Sequence, residues 1–212
     1  MFGTHDLVLF VVSGILLNIT PGADTLYIVS RSAASGAKAG AVAALGIGAG
    51  CFVHIFAAAL GLSAILAASA TAFLVVKLVG AAYLVYLGVA MLRSGATHAA
   101  PAAPPPAAPM SRVFAQGVLT NVLNPKVALF FLAFLPQFID SGTPDKVIAF
   151  LFLGLVFNIN GTLWNLLVAR IAATAGHRFR LAARAARWLQ RAVGSAFVAL
   201  GVKLALSERV SG

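Results

Sequence analysis

The chain contains six long stretches in which apolar residues follow one another with few polar interruptions. They cover approximately residues 7–29, 40–67, 71–92, 113–138, 147–168 and 192–206. None of them alternates apolar and polar residues with the period of a strand, and their lengths are close to the roughly 20 residues that a membrane-spanning helix needs. The pattern therefore predicts an all-α polytopic membrane protein with six transmembrane helices.

A segment rich in proline and alanine separates the third stretch from the fourth and predicts an extended linker. We therefore divide the chain into a first three-helix half (residues 1–95), a cytoplasmic linker (96–112) and a second three-helix half (113–212). Because three is an odd number, the two halves are expected to cross the membrane in opposite directions. This arrangement is that of two inverted three-helix repeats.

Composition narrows the class of protein further. Apolar residues make up 61% of the chain and charged residues only 9%, against about 25% charged residues in a soluble domain. The mean hydropathy is +0.98. These values exclude a soluble globule, a disordered chain and a coiled coil. Cys51, the one cysteine, excludes an intramolecular disulfide and a multi-cysteine metal cluster.

The net charge of +10 is distributed unevenly between the predicted connections. The connections after the first, third and fifth stretches hold ten basic residues and no acidic one: Arg31, Lys38, Arg93, Arg112, Arg170, Arg178, Arg180, Arg184, Arg187 and Arg191. Because cytoplasmic loops collect Lys and Arg, these connections are predicted to be cytoplasmic and both termini external. The basic charge thus reports orientation, and nucleic acid is not expected as a partner. Whether residues 170–191 also form a helix at the lipid surface is left open.

The first stretch is interrupted by Asn18-Ile19-Thr20-Pro21-Gly22-Ala23-Asp24. Proline removes a backbone donor, and glycine adds conformational freedom. We interpret Thr20 as the N-cap and Pro21 as the first residue of a helix that restarts inside the membrane. Asp24 then lies in its first turn, where the helix dipole favours an anion. A carboxylate within a span is a candidate functional group.

The fourth stretch has a similar interruption, Asn121-Val122-Leu123-Asn124-Pro125-Lys126. Here Asn124 is the predicted N-cap, Pro125 the first helical residue, and Lys126 follows at the new N-terminus. Paired discontinuous helices in two halves point to a secondary transporter with a site near the midplane. The candidate substrate residues are Asn18, Thr20, Pro21, Gly22, Asp24, Asn121, Asn124, Pro125 and Lys126. The alternative is that both prolines are kinks that serve packing.

Other polar residues in the apolar stretches give weaker signals. His54 and Cys51 are too few for a closed metal site, so we expect no metal or cofactor, and His54 is either a packed residue or a proton carrier. Asn158 and Asn165 share a helical face, on which they either line a pathway or bond to another helix. No phosphate-binding loop is present to use ATP. The spacings Gly36-xxx-Gly40 and Gly46-xxx-Gly50 permit close helix contact and leave a homodimer open.

Short motifs occur in a fixed order over nearly the whole chain. They are Asn18-Ile19-Thr20-Pro21-Gly22, Asp24, Tyr27, Ser30-Arg31-Ser32, Gly36, Ala44-Leu45-Gly46-Ile47, Gly50, His54, Gly80-Ala81-Ala82-Tyr83-Leu84, Leu87-Gly88, Phe114, Gly117, Asn121, Asn124-Pro125-Lys126, Phe134-Leu135-Pro136-Gln137-Phe138 and Gly201. In this order and spacing the chain resembles the LysE/RhtB family of bacterial amino-acid exporters. One departure is Ala23, where that family usually has a second proline.

The resemblance implies six spans, a bacterial inner-membrane location, and efflux of amino acids or their derivatives driven by the proton gradient. It does not fix the substrate. We predict a proton antiporter in which Asp24 binds the substrate ammonium, and Asp24 or His54 carries the proton. Lys126 and the helix N-termini would bind the carboxylate, and Asp24 would pair with Lys126 in the empty state. The alternatives are an exporter of divalent metal or another small solute, and an intramembrane enzyme.

Overall fold

A computed structural model describes residues 2–64, 70–93, 108–140 and 142–174, together with residues 191, 194, 195, 198, 199, 201, 202, 205 and 206. The helices are α1 (Leu7–Ile19), α2 (Ala23–Phe56), α3 (Ala70–Arg93), α4 (Met110–Val122), α5 (Pro125–Leu129) and α6 (Lys146–Thr174). Most of the predicted linker 96–112 and of residues 170–191 lies outside the described residues, as does part of the last predicted stretch.

Two of these helices continue in other helical forms. After α2 the chain forms a π-helix over Ala57–Leu62, and after α5 it forms a π-helix over Phe130–Phe134 and a 3₁₀-helix over Leu135–Phe138. Pro136 has no N–H to donate to the carbonyl four residues earlier, which accounts for the loss of regular α-helix there. Apart from these helices, the described residues form one isolated antiparallel bridge, between Thr4 and Ile139.

Several helices have the length and apolar character of membrane spans. Ala23–Leu62 and α6 each qualify alone, and α4 with Pro125–Phe138 forms a third candidate that is bent by 45°. α1 is shorter but also apolar. These apolar helices confirm the prediction of an all-α polytopic membrane protein. The number of six spans and the inverted repeat stay predictions, since only the described residues bear on them.

The helix α2 contains the turn between the first two predicted spans. Gly36 has φ 82° and ψ 178°, a backbone conformation that side chains with a Cβ rarely adopt. The chain therefore bends there, so that the first predicted span corresponds to α1 together with the part of α2 before Gly36. The part after Gly36 belongs to the second predicted span.

Helix α2 packs against both α4 and α6, and glycines allow the close contact with α4. A Cβ on Gly117 would lie 2.7 Å from the carbonyl oxygen of Ala43, and a Cβ on Gly50 would lie 2.6 Å from that of Val118. Neither space can hold a methyl group, so the two backbones meet directly. Gly46 faces α4 in the same way. The spacing Gly46-xxx-Gly50 thus serves a contact within the chain.

A cluster of phenylalanines fills the bundle next to the N-terminal segment. Its members are Phe10, Phe130, Phe131, Phe134, Phe138, Phe150 and Phe157, all buried. The N-terminal residues cover this end, because His5 donates its backbone N–H to the Phe138 carbonyl (3.1 Å) and Asp140 donates to that of Gly3 (2.9 Å). The cluster gives α1, α5 and α6 a fixed packing on one side of the two helix breaks.

Candidate functional site

The first helix break differs from its prediction in one respect. Helix α1 ends at Ile19, and α2 begins at Ala23 with Gly22 as its N-cap. Thr20 is the C-cap of α1, so its predicted role as the N-cap of the restarted helix, with Pro21 as the first helical residue, is wrong. The physical reason is that both the backbone N–H and the hydroxyl of Thr20 donate back into the last turn of α1, so this residue closes α1. Thr20 is extended, and its hydroxyl donates back to the Leu16 carbonyl at 2.8 Å.

The second break has the predicted cap. Asn124 is the N-cap of α5, and its side-chain oxygen accepts a hydrogen bond from the backbone N–H of Lys126 at 3.0 Å. Pro125 is the first helical residue. The capping prediction for Asn124 and Pro125 is therefore confirmed. The asparagine satisfies one of the backbone donors that a new helix leaves free.

Lys126 connects the two breaks. Its Nζ donates to the carbonyl oxygens of Leu17 (3.1 Å) and Thr20 (2.9 Å), at the C-terminal end of α1. The Leu17 carbonyl also accepts from the Thr20 backbone N–H at 3.2 Å, and the Thr20 carbonyl lies just beyond the helix. The C-terminus of a helix attracts a cation. In the part of the chain that the structure describes, Lys126 and Asp24 make no contact ion pair, although their charges interact at longer range. The predicted pairing by direct contact is therefore wrong. The Lys126 ammonium group instead binds two backbone carbonyls at the end of α1.

Asp24 lies in the first turn of α2 and is only 8% exposed. Its Oδ2 accepts a hydrogen bond from the side-chain amide of Asn121 at 2.9 Å. Its Oδ1 is buried and has no hydrogen-bond partner among the described residues, and the same is true of the Asn121 Oδ1. Buried polar atoms without a partner are uncommon and need an explanation. The Asn124 Nδ2 also lacks a hydrogen-bond partner in this part of the structure, and this side chain interacts with the Asp24 carboxylate as well.

His54 contacts Asn121 through the asparagine backbone. Its Nε2 lies 3.0 Å from the backbone carbonyl of Asn121, which requires that this nitrogen carries the proton and donates. The ring packs against Phe131. His54 therefore supports the last turn of α4, and it does not line the cavity beside Asp24. A proton-carrying role for His54 stays a prediction.

A small cavity lies where the two breaks meet α6. Its volume of about 20 Å³ leaves room for about one water molecule. The lining residues are Asn18, Asp24, Ile47, Gly48, Cys51, Asn121, Val127, Phe157, Asn158, Gly161, Thr162 and Asn165. Of the candidate residues from the sequence, the cavity therefore brings together Asn18, Asp24 and Asn121. Thr20, Pro21, Gly22, Asn124, Pro125 and Lys126 form the breaks beside it and are not part of its lining.

Helix α6 provides one wall of the cavity. Asn158 donates its Nδ2 hydrogen to the Gly48 carbonyl at 3.1 Å and accepts from the Thr162 hydroxyl at 3.4 Å. Asn158 therefore lines the cavity and also forms a hydrogen bond between two helices, which were the two roles considered for it. Phe157, Gly161 and Thr162 were not among the residues predicted from the sequence. The helical period starting from Asn158 and Asn165 would have found the last two.

A second polar cluster lies one to two turns further along α2. The Arg31 guanidinium donates from Nη2 to the Gln116 side-chain oxygen at 2.7 Å, and the Tyr27 hydroxyl donates to the Val113 carbonyl at 2.8 Å. Arg31 is buried within α2, so its assignment to a connection between helices is wrong. The side of the membrane on which it lies stays a prediction.

Comparison with known proteins identifies the family. The LysE type translocator family matches residues 15–208 of the chain. The chain therefore belongs to the LysE family of translocators. It is a membrane transport protein and not an enzyme.

Individual relatives are similar over most of their length. An uncharacterized membrane protein of Pseudomonas aeruginosa is 35% identical over 211 residues, 96% of each chain. The leucine efflux protein of Klebsiella pneumoniae is 30% identical over 158 residues, 74% of each chain, and that of Salmonella typhimurium is 27% identical over 204 residues, 96% of each chain. No solved structure matches the chain.

Proposed function

We propose that this protein exports amino acids or their derivatives from the cytoplasm in exchange for protons. The observation that carries the proposal is the position of Asp24: a buried carboxylate between two broken helices, on a cavity, with one oxygen unpartnered. The membership of the LysE family and the relatives named leucine efflux protein support an amino-acid cargo.

The exchange of substrate for protons follows from the fact that the buried Asp24 carboxylate can bind either a proton or an ammonium group. An isolated charge is costly within the membrane. Asp24 therefore favours either a proton or the ammonium group of a substrate, and both neutralise it. Since the two compete for the same group, the arrival of a proton favours the release of the substrate on the external side. Loss of the proton prepares the site for cargo from the cytoplasm.

Lys126 has a supporting role in this proposal. Its ammonium already holds the carbonyls of Leu17 and Thr20, so it fixes the end of α1 instead of meeting the substrate carboxylate as first predicted. The cavity is too small for an amino acid in this conformation. Substrate entry therefore requires that the helices around the breaks move apart.

The proposal is tested in inside-out membrane vesicles with an acidic lumen, using labelled amino acids. Export corresponds to uptake into these vesicles, and we expect uptake of at least one amino acid that an uncoupler abolishes. Vesicles without the protein are the control. If labelled divalent cations enter and no amino acid does, the metal-export alternative replaces this proposal.

We further propose a bacterial inner-membrane location with both termini external and the basic connections in the cytoplasm. A reporter that is active only in the cytoplasm should be active when inserted after Arg184 and inactive at the C-terminus. A reporter that is active only outside should show the reverse pattern. A cytoplasmic C-terminus would contradict the even number of spans and the inverted repeat.

A further inference from the structure

We infer that the cavity selects α-amino acids whose side chains are uncharged. This inference rests on the proposed function, since it assumes that the cargo is an amino acid. It depends on three features of the cavity: a pair of acceptors for the ammonium, a donor for the carboxylate, and a lining that is neutral apart from Asp24 and includes an apolar wall.

The acceptor pair consists of the Oδ1 atoms of Asp24 and Asn121, both buried and without a partner in the described part of the chain. The hydrogen bond from the Asn121 amide to the other Asp24 oxygen fixes which atoms stay free, because a carboxylate oxygen can only accept from the NH₂ group. An ammonium group has three hydrogens to donate. It therefore fits between these two acceptors, and the Asp24 charge compensates its own.

The donor is the Nδ2 atom of Asn18, in the last turn of α1. This atom also has no partner among the described residues. Gly161 faces it from α6, where a Cβ would lie 3.2 Å from both the nitrogen and the oxygen of the amide. Because glycine has no side chain, the amide stays accessible to the cavity. It is suited to donate to the carboxylate of a substrate whose ammonium lies at Asp24.

The charge of the cavity lining restricts which substrate side chains can bind. Asp24 is the only carboxylate that lines the cavity as the structure describes it, and the other polar lining residues are neutral. A lysine or arginine side chain would bring a second cation with no anion to meet it. A glutamate side chain would place a second carboxylate near Asp24. Either would be buried without compensation, which is strongly unfavourable.

The remaining lining combines the neutral polar side chains of Asn158, Thr162 and Asn165 with an apolar wall made of Ile47, Cys51, Val127 and Phe157. The Phe157 ring stacks on Phe130 with 4.4 Å between the ring centroids, so the wall is continuous with the phenylalanine cluster. An aliphatic side chain that contacts this wall is removed from water, which favours binding in proportion to the apolar area buried.

Competition for transport tests the inference in the vesicles described above. Uptake of labelled leucine should be reduced by unlabelled leucine and methionine, whereas lysine and glutamate should compete at least tenfold more weakly. Equal competition by lysine would overturn the inference and leave amino-acid export intact. Absence of uptake for every amino acid would instead overturn the proposed function itself, so the two failures are distinguishable.

A matched pair of variants tests the charge argument directly. Thr162→Asp adds a second carboxylate to the cavity, and Thr162→Asn adds a neutral group of the same shape. We expect Thr162→Asp to raise the ratio of lysine to leucine uptake at least tenfold and Thr162→Asn to leave it within about threefold. An unchanged ratio in well-inserted Thr162→Asp protein would contradict the inference. If that variant fails to insert, the wild-type competition alone decides.

Discussion

Asp24→Asn is expected to abolish proton-driven export, with a loss of at least about 100-fold. The substitution keeps the shape of the side chain and a hydrogen-bonding oxygen, but it removes the group that binds a proton or an ammonium. Exchange of labelled for unlabelled substrate, which needs no proton, should fall as well because the ammonium loses its counter-charge. Both rates can be measured in the same vesicles. Asp24→Glu should keep partial activity.

The matched control is Asp6→Asn. Asp6 is an exposed acid with φ 47°, a conformation that asparagine also tolerates, and we expect wild-type export. Proton-driven export at the wild-type rate in Asp24→Asn would refute the coupling role. Surviving exchange with lost coupling would show that Asp24 carries the proton without binding the ammonium.

Lys126→Met is expected to destabilise the protein. It removes the charged donor from the carbonyls of Leu17 and Thr20, although the Leu17 carbonyl keeps its bond from the Thr20 N–H. A hydrogen bond to a charged group contributes about 1.5–3 kcal/mol. The apparent melting temperature in detergent should fall by at least about 5 °C, since each kcal/mol corresponds to roughly 2–4 °C in a chain of this length. Transport should fall together with stability.

Two further variants complete this test. Lys126→Arg keeps the charge and the donors, and it should recover much of the stability. Lys38→Met makes the same change at an exposed lysine of α2 and should leave both readouts unchanged. A loss of transport with unaltered stability in Lys126→Met would instead return Lys126 to its first predicted role, binding the substrate carboxylate.

The location of the two helix breaks could be predicted from the sequence because their causes are local. Prolines at positions 21 and 125 cannot donate a backbone hydrogen bond, so a break near each follows from covalent structure alone. The Asn124 cap was predicted for the same reason. The wrong assignment of Thr20 also had a local cause: its hydroxyl donates back to the Leu16 carbonyl, whereas the Asn124 side chain accepts from the helix that follows.

The partners of the buried polar groups could not be predicted in this way. Arg31 illustrates the difficulty, because a basic residue between two apolar stretches has the pattern of a loop charge. Its burial depends on Gln116, 85 residues further along the chain. Cavity residues such as Val127 and Phe157 lie in apolar runs and carry no local signal that separates them from the core.

The sequence by itself determined the helical membrane class, the two breaks and the presence of an acid and a base beside them, because hydropathy and proline act within a few residues. Only the tertiary structure decided that Lys126 holds the end of α1 and that Asp24 bonds to Asn121 with one oxygen left free. These partners are 97 to 109 residues apart. Their choice depends on which helix ends meet, and therefore on the glycine contacts and phenylalanine packing that bring the two breaks together.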